Sequence, residues 1–283
     1  MSPELGSALA TGALSALILW IAWQRGFFFY CKENITAAVP IRFLNVAVVF
    51  IIYFLVNFFS SSFFVYFLKT QIHANYVAFA AWFNFGASFL VFCSLALYWM
   101  TLSENLRIGI LGKKNEIGND VRFALFAWMI SFPLVLFLSQ LLELLVYHLF
   151  NVTKLPDQLA VHFLKSTFEH PLYLLLATAS IIVLAPLIEE TLFRGFLQTF
   201  IRQHLGRGQA IFITSVCFAF FHYSGDQGLG NIPIIGSLFV LSLFLGFLYE
   251  RQNSLFAPIA LHASFNAISV LNLYFLGGFT GGI

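Results

Sequence analysis

Charge is what this sequence has least of. Only 9% of its 283 residues are Asp, Glu, Lys or Arg, against roughly 25% in an ordinary soluble domain. The formal net charge is +2 and no basic stripe is present, so nothing is available to hold a phosphate backbone and nucleic acid is excluded as a partner. Cysteine is scarce too. Cys31, Cys93 and Cys217 stand far apart without paired metal-ligand spacing, and two of them lie within apolar runs as small core residues. No HExxH occurs, which removes the commonest zinc-protease signature. No internal repeat recurs, which counts against an inverted-repeat transporter. The opening Met-Ser-Pro-Glu has no basic region ahead of the first apolar run, Leu5 to Trp23, so that run is expected to be a retained helix and not a cleaved signal peptide.

Apolar residues fill the space that charge leaves. The chain is 60% hydrophobic and carries 37 Phe, more in keeping with lipid-facing bulk than with a ligand box. Eight stretches approach or exceed the roughly 20 residues a spanning helix needs, at about 5–23, 41–68, 75–100, 123–150, 171–201, 207–222, 232–249 and 255–276. The sixth is the shortest. The expected fold is therefore all-α, a polytopic membrane protein of about eight transmembrane helices enclosing a polar cavity. Residues 1–122 supply N-terminal helices and a cytoplasmic loop, and 123–283 a catalytic helical core, within one integral membrane unit. The connection Thr101 to Arg122 is the most polar part and is expected in water; the loop Asn151 to His170 is expected along the interface. Arg25, Lys32, Arg42, Arg107, Lys113, Lys114, Arg122, Arg202, Arg207 and Arg251 fall on one side, and Lys69, Lys154 and Lys165 on the other. The basic side is expected to be cytoplasmic, with both termini outside.

Against this background Ala185-Pro-Leu-Ile-Glu-Glu-Thr-Leu-Phe-Arg194 is out of place. Each charge near a bilayer centre costs roughly 2.5–3.5 kcal/mol on insertion scales. Glu190 and Arg194, four residues apart on a helix, can neutralise one another. Glu189 points about 100° away and lacks that partner. A wet helix end at the membrane surface is the plain alternative. Depth argues against it: Glu189 lies roughly 18 Å from its helix end near Ile201, His222 roughly 22 Å along the sixth helix, and His262 and Asn266 roughly 10–17 Å along the eighth. Three helices thus bring polar groups to similar depth, although Pro186 and Pro258 each disturb the count locally. Taken singly, His222 reads as a helix cap, and His262 with Asn266 as a helix–helix hydrogen-bond pair. Together they are the parts of a hydrolytic site. Glu189 can take a proton from water with His222 sharing the task, while His262 and Asn266 donate to an oxyanion. Glu143 reads as a snorkelling group, Glu250-Arg251 as a loop at the cytoplasmic edge, Tyr223 to Asp226 as a plain loop, and Gly277 to Gly282 as a frayed tail.

EETLFR (Glu189 to Arg194), FAFFH (Phe218 to His222) and HASFN (His262 to Asn266) resemble, in order and spacing, the EExxxR, FxxxH and HxxxN motifs of the CAAX protease and bacteriocin-processing family of intramembrane proteases. That family includes the Ras-converting prenyl-protein endopeptidase. The resemblance covers about residues 170–275. It implies eight spans with a cavity open to the cytosolic leaflet, and a metal-independent glutamate mechanism with no cofactor. Glu189 and His222 would activate water, His262 and Asn266 would form the oxyanion site, and Glu190, Arg194 and Phe218 would support it. The implied substrate is a membrane-associated peptide or protein, prenylated or bacteriocin-like, in a bacterial plasma (inner) membrane. Three alternatives stay open: a zinc enzyme using Glu189, His222 and His262 as ligands, a non-catalytic immunity or scaffold protein of the same fold, and a proton-coupled transporter.

Overall fold

The computed structural model describes residues 3–29, 40–67, 75–112, 117–152, 155 and 158–276. Cys31, the glycine-rich tail from Gly277, and Lys32, Lys69, Lys113, Lys114 and Lys154 lie outside the described residues. Among the described residues the structure is helical, with no strand. The helices are α1 (Pro3–Gln24), α2 (Phe43–Phe67), α3 (Tyr76–Thr101), α4 (Glu104–Leu111), α5 (Ile117–Phe150), α6 (Leu159–Thr167), α7 (Pro171–Leu205), α8 (Arg207–Phe221), α9 (Asn231–Gln252) and α10 (Phe256–Leu276). Seven are long and apolar enough to cross a membrane; α8, at 15 residues, is the shorter apolar one. It spans roughly 22 Å against a hydrocarbon core of about 30 Å. His222 caps its C-terminal end.

Two apolar cores meet on α9. One gathers Ile110, Leu184, Ile188, Leu192, Phe193 and Phe218 with partners on α2 and α3. The other gathers Ala124, Ala127, Leu241, Leu245, Leu261 and Phe265, with α1 and α5 packed alongside. The outer faces carry large exposed hydrophobics such as Trp20, Phe58, Leu149 and Phe275, as a lipid-facing surface requires. Phenylalanine is not only lipid-facing bulk, however: Phe193, Phe196, Phe218 and Phe265 are fully buried.

Two polar connections are more ordered than their composition suggested. Within 101–122, the short α4 seals Ile110 into the first core, and α5 starts at Ile117, ahead of the expected 123. At the end of α4, Gly112 has φ +81°, and a Cβ there would meet the Asn253 carbonyl oxygen. Only glycine suits both the backbone angle and the close approach. The Leu255 N–H then donates to the Leu111 carbonyl at 3.2 Å. Within 151–170, α6 folds back through Leu164 onto Ala177, Val270 and Leu273.

Candidate active site

Helix α7 departs from regular α geometry twice, on either side of Glu189-Glu190. Ser180–Leu184 and Thr191–Gln198 are wound as π-helix. Pro186 explains the first. The Ala185 N–H donates to the Ser180 carbonyl, five residues back, so the Ile181 carbonyl would fall to Pro186, which has no N–H. Asn266 fills that vacancy from α10, donating its side-chain amide to the Ile181 oxygen at 2.7 Å. The second π segment widens the turn, which lessens the drift of i,i+4 positions around the helix. Glu190, Arg194, Gln198 and Arg202 thereby present one continuous face to α9. Arg194 Nη2 donates to the Ser242 carbonyl at 3.2 Å and to its hydroxyl at 2.5 Å. Gln198 donates to the Gly246 carbonyl and to Glu250, both at 3.0 Å. Arg202 reaches Glu250 at 3.1 Å, and Arg207 joins it at 3.4 Å. Glu250 is thus a buried residue in the last turn of α9, and the loop expected there is corrected. Its three partners explain why a carboxylate can stay inside.

The two glutamates divide as their helical angles require. Glu190 is fully buried, and its Oε1 accepts from Arg194 Nη1 at 3.0 Å and from His262 Nδ1 at 2.8 Å. Glu189 turns the other way. Its Oε2 lies 3.6 Å from His222 Nε2 and 4.0 Å from His262 Nε2, and this buried atom has no hydrogen-bond partner among the described residues. His262 therefore spans both carboxylates with its two ring nitrogens, a contact that motif spacing did not foresee. His222 closes α8 as a cap, Nδ1 to the Phe218 carbonyl at 2.9 Å, and still presents Nε2 to Glu189. Its capping and its functional placement coexist.

Phe218 sits under all of this, fully buried. The Arg194 guanidinium stacks 4.6 Å above its ring. The His222 ring lies 4.9 Å away, the His262 ring 5.8 Å edge-on, and Phe193 5.2 Å edge-on. Such edge and cation contacts fix the angles of the polar side chains as well as excluding water. Glu189, Glu190, Arg194, Phe218, His222 and His262 thus form one contact cluster. Asn266 joins it through α7, by way of the Ile181 carbonyl. Beyond the cluster, Asn231 ties the turn after His222: its amide donates to the carbonyls of Ser224 (2.7 Å) and Gly228 (3.0 Å), and its oxygen accepts from the Ser224 N–H. The segment expected as a plain loop is partly a 3-10 turn, Gly225–Gly230.

Chemically the cluster offers a carboxylate oxygen and two imidazole nitrogens aimed at one space. Contacts of 3.6 and 4.0 Å are too long for direct hydrogen bonds and leave these polar atoms in close electrostatic range. A family model described as Type II CAAX prenyl endopeptidase Rce1-like matches residues 171–268, the stretch that holds every residue of this cluster. No curated protein and no solved structure matches the chain.

Proposed function

We propose, from the match of residues 171–268 to the family model described as Type II CAAX prenyl endopeptidase Rce1-like, that this integral membrane protein is a glutamate-dependent endopeptidase that cleaves a membrane-associated substrate. The observation that carries the reading is the Glu189 Oε2 atom, buried without a hydrogen-bond partner among the described residues and flanked by imidazole nitrogens from two other helices. Both imidazoles use Nδ1–H as a donor, His222 to a carbonyl and His262 to a carboxylate. In the neutral rings Nε2 therefore carries the lone pair. A water between Glu189 and His222 donates one proton to each, which exposes its own lone pair to a substrate carbonyl.

As the water attacks, its proton passes to Glu189 and later to the leaving amine, so the base of the first step is the acid of the second. The charge that develops on the carbonyl oxygen needs donors. Asn266 holds one amide N–H on Ile181 and keeps a second free to donate. His262 can donate through Nε2 only as the imidazolium. Two carboxylates stand around the ring, Glu190 at 2.8 Å and Glu189 at 4.0 Å. Arg194 offsets the charge of Glu190. This scheme uses no metal and no organic cofactor. A peptide carrying a prenyl or other lipid anchor, delivered sideways within a bacterial plasma membrane, suits a site sunk among transmembrane helices.

Quantitative proteomics of membrane peptides, comparing wild type with Glu189→Ala in the host, tests the proposal. At least one membrane-anchored substrate should accumulate uncleaved in the variant. Identical peptide profiles, with full complementation of a deletion by Glu189→Ala, would favour the non-catalytic scaffold instead.

A further inference from the structure

Among the described residues, no group donates a hydrogen bond to the buried Oε2 of Glu189. Around its carboxylate stand His222 from α8 and His262 from α10, with Glu190 and Arg194 on its own helix. Both histidines spend their Nδ1 protons elsewhere. Arg194 directs Nη1 to Glu190 and Nη2 to Ser242. A buried carboxylate oxygen without a donor is costly, the more so when charged. Besides the attacking water, a fixed donor to this carboxylate would have to come from outside the motif helices.

Tyr53 on α2 packs beside the motif helices and carries such a donor. Helix α2 packs against α7 through a stripe that touches two of the three motif helices, α7 and α8. Phe50 lies edge-on to Phe193 at 5.5 Å, and the Tyr53 ring lies 5.2 Å from Phe221, the residue before His222. The half-buried Tyr53 belongs to the shell around the core that holds Ile188, Leu192 and Phe218. Its hydroxyl makes no hydrogen bond among the described residues, and the Glu189 carboxylate acts on it electrostatically. A phenol is a donor of the needed kind, and its amphipathic ring suits an apolar wall with a polar tip.

We propose that the Tyr53 hydroxyl donates to Glu189, directly or through one water, and so positions the base from a helix outside the family-matched segment. The inference rests on the reading of Glu189 as the base. It gives the N-terminal helices, which match the family only in being hydrophobic, a part in the chemistry. An ionised Glu189 held by a phenol presents its other lone pairs to the attacking water, and loses that orientation when the hydroxyl is removed.

The test uses the full chain in liposomes and Tyr53→Phe, which keeps the ring and its packing on Phe221. Infrared difference spectra assign the Glu189 carboxylate band as the one lost in Glu189→Gln. That band should move in Tyr53→Phe and stay in place in Tyr66→Phe, the same change at an 80% exposed position of the same helix. An unmoved band in Tyr53→Phe overturns the proposal. On a peptide that wild type cleaves, kcat should fall roughly tenfold to a hundredfold with KM little changed, as loss of one hydrogen bond to a charged group gives. An unaltered kcat also overturns it. A shifted band in a protein that cleaves nothing would support the hydrogen bond while refuting the protease reading.

Discussion

Replacing Arg194 by Met removes a guanidinium that four groups use. It gives up Nη1 to Glu190 at 3.0 Å, Nη2 to both oxygens of Ser242, and the stack on Phe218. Because both partners of the ion pair are fully buried, the dominant cost is the charge left behind on Glu190. Breaking a buried pair from one side costs about 3–5 kcal/mol. For a chain somewhat larger than 150–250 residues, each kcal/mol moves the melting temperature by about 2–4 °C, so Arg194→Met should lower Tm by on the order of 10 °C. Adding Glu190→Gln removes the stranded charge and keeps an acceptor for His262, so the double variant should recover much of the loss. The assay is thermal unfolding in detergent at one scan rate, followed by thiol reactivity of the half-buried Cys93. A single variant as stable as wild type, or a double variant that loses the full sum of the two singles, would refute the reasoning.

Other consequences follow from individual contacts. Gly112→Ala should destabilise the protein by more than about 1 kcal/mol, since it forces a side chain into a left-handed backbone and against the Asn253 carbonyl; an unchanged Tm refutes the assigned packing. Asn266→Ala strands the Ile181 carbonyl and should cost about 1–3 kcal/mol of stability besides lowering kcat, whereas a loss of kcat with no change in Tm would mean that the Ile181 contact is unimportant. Cleavage should survive dialysis against a strong chelator, with no stoichiometric zinc by elemental analysis. Chelator-sensitive cleavage restored by zinc would make Glu189, His222 and His262 metal ligands.

What could be read in advance was what the helix repeat dictates. Glu190 pairs with Arg194 because four residues bring them together, and Glu189 faces away because one residue turns the helix by about 100°. Similar depth for the EETLFR, FAFFH and HASFN segments followed from rise per residue alone. Contacts set by packing between helices were out of reach. The His262 bridge to Glu190 joins residues 72 positions apart. Asn266 meets Ile181 because a proline five residues on withholds its N–H, which becomes visible only once the helix is known to be π-wound there. Arg194, Gln198 and Arg202 recur at i,i+4, as do Ser242, Gly246 and Glu250, yet their pairing across α7 and α9 needed the interface. Glu250 looked like a loop charge because its burial depends on that pairing. Tyr53 carries no local signal at all, since one tyrosine in an apolar helix is indistinguishable from packing.

The most direct measurement is cleavage, by purified protein in liposomes, of the membrane peptide identified by comparative proteomics, with wild type set against Glu189→Gln of matched melting temperature. The account predicts a loss of roughly 10²–10⁴-fold in kcat, the range assigned to a positioned general base. Equal rates for the two proteins would contradict it.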